Sequence, residues 1–171
     1  MGIYAVSGFA KGFMPIAGYN YGAKQYHRVQ EATKTGLIWT STFCVLMTIL
    51  MLIFATPVIS LFTADDLEVV EIGTFALRAN IVMFAGMGIE AIYSMLSLAL
   101  GKAAGGWLLS IGRQGIFFIP VIMFLPRYIG LNGVILAQPI ADVLTLVAII
   151  ILAIKINRQI KVLAASQTGT E

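Results

Sequence analysis

A chain of 171 residues with 59% apolar side chains, 11% charged side chains and a mean hydropathy of +0.92 lacks the polar cover of a soluble domain, which carries about 25% charged residues. Its formal net charge of +3 is small, and its Lys and Arg residues sit in short clusters between apolar runs, not on the basic face that nucleic-acid binding needs. One cysteine, Cys44, and one histidine, His27, exclude a disulfide framework and offer no metal-ligand spacing.

The first residues, MGIYAVSGFAKGF, have no basic segment ahead of an apolar core and no cleavage pattern, so they are not a secretory signal. They read as the interior of a helix entered part-way, and the chain is expected to be a fragment of a longer one. A bilayer core about 30 Å thick needs roughly 20 mostly apolar helical residues. Residues 3–19 are apolar but short, with Lys11 inside, and are read as the second half of a span. Residues 36–62 form an uncharged run. Residues 72–100 are long enough even with Arg78 and Glu90 inside. Residues 107–125 and 134–154 complete the set, the last carrying Asp142. The expected fold is an all-α membrane protein, a polytopic helical bundle of four complete transmembrane helices plus part of a fifth. Residues 161–171 are expected to be a polar, disordered tail.

Continuous apolar runs separate this pattern from a membrane barrel, which needs many alternating segments of about ten residues. A helix also satisfies its own backbone in lipid. The connectors carry turn residues. Asn20 to Gly22 reads as a turn, and Gly101 to Gly106 as a Gly/Ala loop. Thr63 to Asp66 ahead of Glu68 reads as an acidic helix cap. Pro126 and the Gly130 to Gly133 stretch supply the last turn. One set of connectors holds Lys24, Arg28, Lys34, Lys102, Arg113, Lys155, Arg158 and Lys161. The opposite set holds Arg127 with Asp65, Asp66, Glu68 and Glu71. By the positive-inside rule the first set, with the C-terminus, is cytoplasmic.

Several polar groups lie within the spans. Glu90 stands about ten residues from the cytoplasmic end of its span, where a charge costs roughly 2.5 to 3.5 kcal/mol on insertion scales. Burial favours its neutral form. It is a proton or cation site coupled to transport, or a hydrogen-bonded packing residue. Asp142 follows Gln138 and Pro139, and a proline there can free a carbonyl beside the acid. It faces a cavity or bonds a neighbouring helix. Arg113 and Gln114 hold a gate, or Arg113 snorkels to the headgroups. Arg78 has the same two readings. Met47 with Met51 and Met83 with Met87 stand at i, i+4 spacing, which suits an adaptable pocket or ordinary helix packing. Gly8 and Gly12 form a small-xxx-small pair. Cys44 and His27 read as an apolar filler and a loop residue. No serine triad, P-loop or metal motif stands in the sequence, so it reads as no enzyme and needs no cofactor.

The segment GFMPIAGYNYGAKQYHRVQEA, ending at Ala32, resembles the cytoplasmic turn in the second half of multidrug and toxic compound extrusion (MATE) transporters. Its proline, Tyr19-Asn20, Gly22-Ala23 and Arg28 fall in the family's order. Downstream, Leu61-Phe62 before an acidic loop, Leu100-Gly101-Lys102, Arg113-Gln114 with Pro120, Gly130-Leu131 with Gly133-Val134, Pro139 and Asp142 follow it too. The likeness covers residues 3 to about 160, and the Mep-type bacterial exporters are the most similar branch.

The resemblance implies two six-helix lobes, of which this chain would be the end of helix eight through helix twelve. The partner would be a missing N-terminal lobe in the plasma membrane. The implied activity is export of small cationic, amphipathic drugs in exchange for H+ or Na+. In some branches a carboxylate on helix ten takes part in coupling, and Glu90 lies on the matching helix. The acid on helix seven that those branches use is outside this chain. Asn20, Arg113, Gln114, Gln138 and Asp142 are the accompanying candidate cavity or gating residues. Three other readings compete: a half-size exporter acting as a homodimer, a non-transporting membrane scaffold or lipid-interacting fragment, and a lipid-precursor flippase of the wider superfamily.

Overall fold

The computed structural model describes residues 2–62, 66–101 and 112–168. In chain order the elements are α1 (Gly2–Gly22), α2 (Tyr26–Ile53), the short α3 (Ala55–Ser60), α4 (Leu67–Phe84), α5 (Met87–Ala99), a π-helical turn (Gly112–Phe117) and α6 (Phe118–Thr168). Two of these helices, α2 and α6, are long and apolar enough to cross a membrane, and a third span is formed if α4 and α5 are taken together. The described residues thus present two or three candidate spans where four complete ones are expected, with α6 counted as one despite the break within it.

The differences have local causes. α1 runs for 21 residues, longer than the half-span expected at 3–19, with Lys11 and Pro15 inside it. It continues through the turn expected at Asn20 to Gly22 and ends at Gly22, followed by a turn at Ala23 and Lys24. There Lys24 takes a left-handed φ of 59°, and its N–H bonds the Tyr21 carbonyl while the Gln25 N–H bonds that of Asn20. These two bonds form the paired C-terminal cap that a left-handed residue allows. The helix over the apolar run expected at 36–62 begins earlier, at Tyr26, with Arg28, Glu31 and Lys34 in its first turns, and breaks at Phe54 before the proline-containing α3. The span expected at 72–100 is bent by 43° between α4 and α5. At the bend the Ala85 and Gly86 N–H groups reach back only three residues, to the Val82 and Met83 carbonyls.

Of the span expected at 107–125, residues 107–111 lie outside the described residues and the π-helical turn covers 112–117; its remainder and the span expected at 134–154 lie in α6, which breaks at Ile129 and Gly130, where Gly130 has a φ of 57°. A Cβ on Gly133 would stand 2.7 Å from the Leu125 carbonyl. In a straight helix, positions eight apart are about 12 Å apart along the axis, so the chain doubles back at the expected Gly130 to Gly133 turn. The Gly/Ala loop beyond Gly101 lies outside the described residues. The tail expected to be disordered stays helical to Thr168. Asp66 caps α4, its Oδ1 accepting from the Glu68 and Val69 N–H groups at 3.1 and 3.3 Å. Residues 63–65 of the expected cap lie outside the described residues.

Packing places small residues inside and large apolar ones outside. The buried face of α2 is Val29, Thr33, Gly36, Thr40, Cys44 and Thr48. Its exposed face carries Ile38, Trp39, Leu46, Ile49, Leu50 and Ile53. Along α6, Ala137, Ala141 and Thr145 are fully buried while Val143, Leu144, Val147, Ile150, Ile151 and Ile154 are exposed. Lipid is as apolar as leucine, so membrane helices associate through close backbone approach at small residues. The inward hydroxyls are satisfied by their own helix: Thr33 donates to the Val29 carbonyl, Thr40 to Gly36 and Thr145 to Ala141, at 2.7 to 2.8 Å.

The closest approach between α5 and α2 is at Gly88 of α5. A Cβ there would lie 2.8 Å from the Ser41 nitrogen and the Thr40 carbonyl carbon, and the Thr40 hydroxyl also stands 3.3 Å from the Gly88 carbonyl oxygen. One turn on, Ile92 packs onto Gly36 and Phe13 at the heart of the main core cluster, with Ala17, Leu96 and Ile149. Gly8 and Gly12, the expected small-xxx-small pair, have nothing within 4 Å of a Cβ and do not join helices among the described residues.

Gly88→Val should force α5 off α2 and destabilise the protein by about 1–3 kcal/mol or more, read as a lowered thermal midpoint in detergent. Asp66→Ala, on the exposed cap, should cost only about 1 kcal/mol in the same assay. Equal losses for the two would contradict the packing described.

Candidate functional site

Glu90 lies in the first turn of α5, one turn beyond the bend, and its N–H donates to the Gly86 carbonyl at 3.3 Å. It is half-buried. Gly86 abuts Leu146 of α6, with a Cβ position 3.2 Å from the leucine methyl. Glu90 stands four residues on, so the same face of α5 presents it. The bend exists because the bonds at Ala85 and Gly86 tighten, and it turns the chain axis immediately before the only acid of α5.

Gln138 and Asp142 are brought together on one face of α6. The Gln138 amide donates to Asp142 Oδ1 at 3.0 Å, and both side chains are half-buried. Glu90 and Asp142 are not brought together. Gly86 meets Leu146 and Tyr93 meets Asn157, so α5 and this part of α6 run parallel. Asp142 is four residues before the level of the Gly86 contact and Glu90 four after it. At 1.5 Å per residue they are separated by roughly 12 Å along the axis.

The other candidates are spread along the bundle. Asn20 donates to the Ile16 carbonyl at 2.8 Å and lines a groove of about 450 Å³ with Arg28, Glu31 and Thr35. Arg113 and Gln114 fall on the π-helical turn, and their side chains lie outside the described residues. Arg78 is exposed beside Glu71 and Thr74, near the end of the bundle that carries α3. The methionines divide: Met47 and Met87 pack against buried Cys44 and Phe84, while Met51 is exposed.

Sequence reasoning missed one constellation. Tyr93 of α5 is only 6% exposed, and its hydroxyl accepts from the Asn157 amide of α6 at 2.7 Å. These two residues line adjoining grooves of 470 and 490 Å³ between α2 and α6. Asn157 lies beyond the expected span at 134–154, and Tyr93 lies inside the span expected at 72–100. Asn157 and Lys161 stand at i, i+4 on the α6 extension, a polar pair on one helix face that shows once the helix is carried past Ile154.

Comparison with known proteins places this geometry. The MatE family matches residues 1–124. The multidrug export protein MepA of Staphylococcus aureus is 27% identical over 143 residues, which are 84% of this chain and 31% of that protein. The chain thus spans about a third of the length of that curated relative. An inward-facing multidrug resistance MATE family transporter superposes with a TM-score of 0.82 at 20% identity, covering 96% of this chain and 38% of the other. An outward-facing one gives 0.80 at 20% identity, covering 96% and 36%. The chain belongs to the MatE family of membrane transporters.

Proposed function

We propose that this chain is part of the C-terminal lobe of a secondary active multidrug exporter, moving small cationic, amphipathic compounds out of the cell in antiport with H+ or Na+. Its family membership carries the reading. The arrangement of Glu90 gives it a mechanism: a carboxyl half-buried in a membrane span, one turn past a 43° bend. Acids at such depth are costly to place and mark ion pathways. Broken helices at mid-membrane are where transporters of this general kind build their ion and substrate sites.

Two further features support one lobe acting against another. α1 exposes Gly8, Lys11, Gly12, Pro15 and Tyr19 along one face. A lipid-facing helix would present large apolar residues there, as α2 and α6 do. A stripe of small, charged and aromatic residues suits a water-filled path or a second lobe. The chain also superposes nearly equally on an inward-facing and an outward-facing transporter. Such helices keep one internal arrangement while the lobes rock, so alternating access comes from their relative motion.

In this reading the basic connectors face the cytoplasm. A proton or Na+ on Glu90 neutralises the acid and shifts the balance between the two states, and drug binding competes with it. An elementary charge moving inward gains about 2.3 kcal/mol per 100 mV. Asp142 and Gln138 act as a bonded pair that orients polar groups on α6, without exchanging the coupling ion.

In the complete transporter, Glu90→Gln should lower the ionophore-sensitive efflux of a cationic dye by roughly tenfold or more, because a group fixed neutral cannot carry the coupling ion. Unchanged efflux with unchanged pH and Na+ dependence would remove Glu90 from the mechanism. Asp142→Asn keeps an acceptor for Gln138 and should leave efflux close to wild type, with a stability change below about 1 kcal/mol. Loss of efflux with normal stability would assign ion handling to Asp142 instead.

A further inference from the structure

The adjoining grooves between α2 and α6 have the outline of a phospholipid. The half nearer the loops is lined by Lys34, Lys161, Gln30 and Thr33. The half nearer mid-membrane is lined by Ile89, Ile150, Ala153 and Ile154. Leu37, Ile38, Tyr93 and Asn157 belong to both, so the space is continuous from a cationic mouth to an apolar channel. Its walls are helices whose outer faces carry large exposed apolar residues, so the apolar half opens sideways toward lipid.

The polar end is built, not incidental. Among the described residues neither lysine is paired with a carboxylate, the recorded ion pair being His27 with Glu31. The Asn157 amide bonds the Tyr93 oxygen at 2.7 Å, which fixes the phenol. Among the described residues the Tyr93 hydroxyl then donates to no acceptor, although the residue is only 6% exposed. Two lysines and a buried O–H donor thus line one groove, the set of groups an anion's oxygens would need. Basic pockets between membrane helices on the side rich in Lys and Arg suit anionic headgroups.

We infer that this groove binds an anionic phospholipid. Its phosphate is held by Lys34 and Lys161 beside the Tyr93 hydroxyl, and one acyl chain lies along Ile38, Ile89, Ile150 and Ile154. The charge complement selects an anionic over a zwitterionic lipid, and the apolar channel selects a lipid over a free phosphate ion. A lipid seated there bridges α2 and α6 across α5, the helix that carries Glu90.

Native mass spectrometry of the full-length polypeptide in mild detergent tests this, with phosphatidylglycerol or phosphatidylcholine added. Wild type should retain phosphatidylglycerol in clear preference to phosphatidylcholine. Lys34→Gln with Lys161→Gln should lose that preference by about tenfold. Both lysines are exposed, so the variant keeps its fold, checked by its elution as a single species. Lys155→Gln with Arg158→Gln removes the same charge from the same helix end but outside the groove, and should retain the lipid. Equal retention by all three proteins, equal loss in both double variants, or equal binding of the two lipids would each overturn the site.

Discussion

The bundle depends on the contact between Gly88 and the Thr40–Ser41 backbone. In water, helices gather because their apolar faces leave solvent. In lipid that drive is lost, and association comes from van der Waals contact and a few hydrogen bonds. Helices must then approach closely, and only small residues permit it. With the Gly88 Cβ position 2.8 Å from α2 backbone, any side chain there separates the helices. Thr33, Gly36, Thr40, Cys44 and Thr48 on α2, and Ala137, Ala141 and Thr145 on α6, follow the same constraint.

That contact determines where the candidate groups stand. α5 is held against α2 immediately after the bend from α4, so Glu90 enters the bundle at a fixed depth on the side of α6. The outer faces of α2 and α6 diverge over α5 and leave the groove that Tyr93 and Asn157 floor. The whole set superposes on transporters described as inward-facing and outward-facing with TM-scores of 0.82 and 0.80. In the proposed exporter, lobe motion would leave such contacts unbroken, and an ion on Glu90 would act on the relation between lobes, not on the packing within one.

Much of this architecture was legible in the residues. Apolar runs marked the membrane class and most of the helices, and Gly130 to Gly133 marked the turn at which α6 doubles back. Asp66 marked a helix start that the structure confirms. The order of Tyr19-Asn20, Arg28, Leu100-Gly101 and Pro139 marked the family. Other features were hidden for physical reasons. The bend at Ala85 and Gly86 arises without proline, from tightened bonds in an apolar stretch, so hydropathy reads it as continuous. The same averaging read 72–100 as one straight span and gave no sign of the 43° bend between α4 and α5. The small-residue face of α2 is invisible to a hydrophobicity count, because threonine and glycine look like interruptions in a span although they are its packing surface. Asn157 lay past the apolar run, where helix persistence to Thr168 was not expected. Gly8 and Gly12 misled in the opposite sense: their motif suggested a helix contact, yet they face open space within this chain.

If these helices are one portion of a two-lobed exporter, they cannot transport alone, since alternating access needs an interface to rock across. The mass of the native polypeptide in membranes of the source cell, detected with an antibody to the residues after Lys161, tests this most directly. The predicted result is a band well above 18.4 kDa, with the second lobe on the same chain. A band at 18.4 kDa, with no larger species, would contradict it and leave a half-size assembly or an inactive remnant in its place.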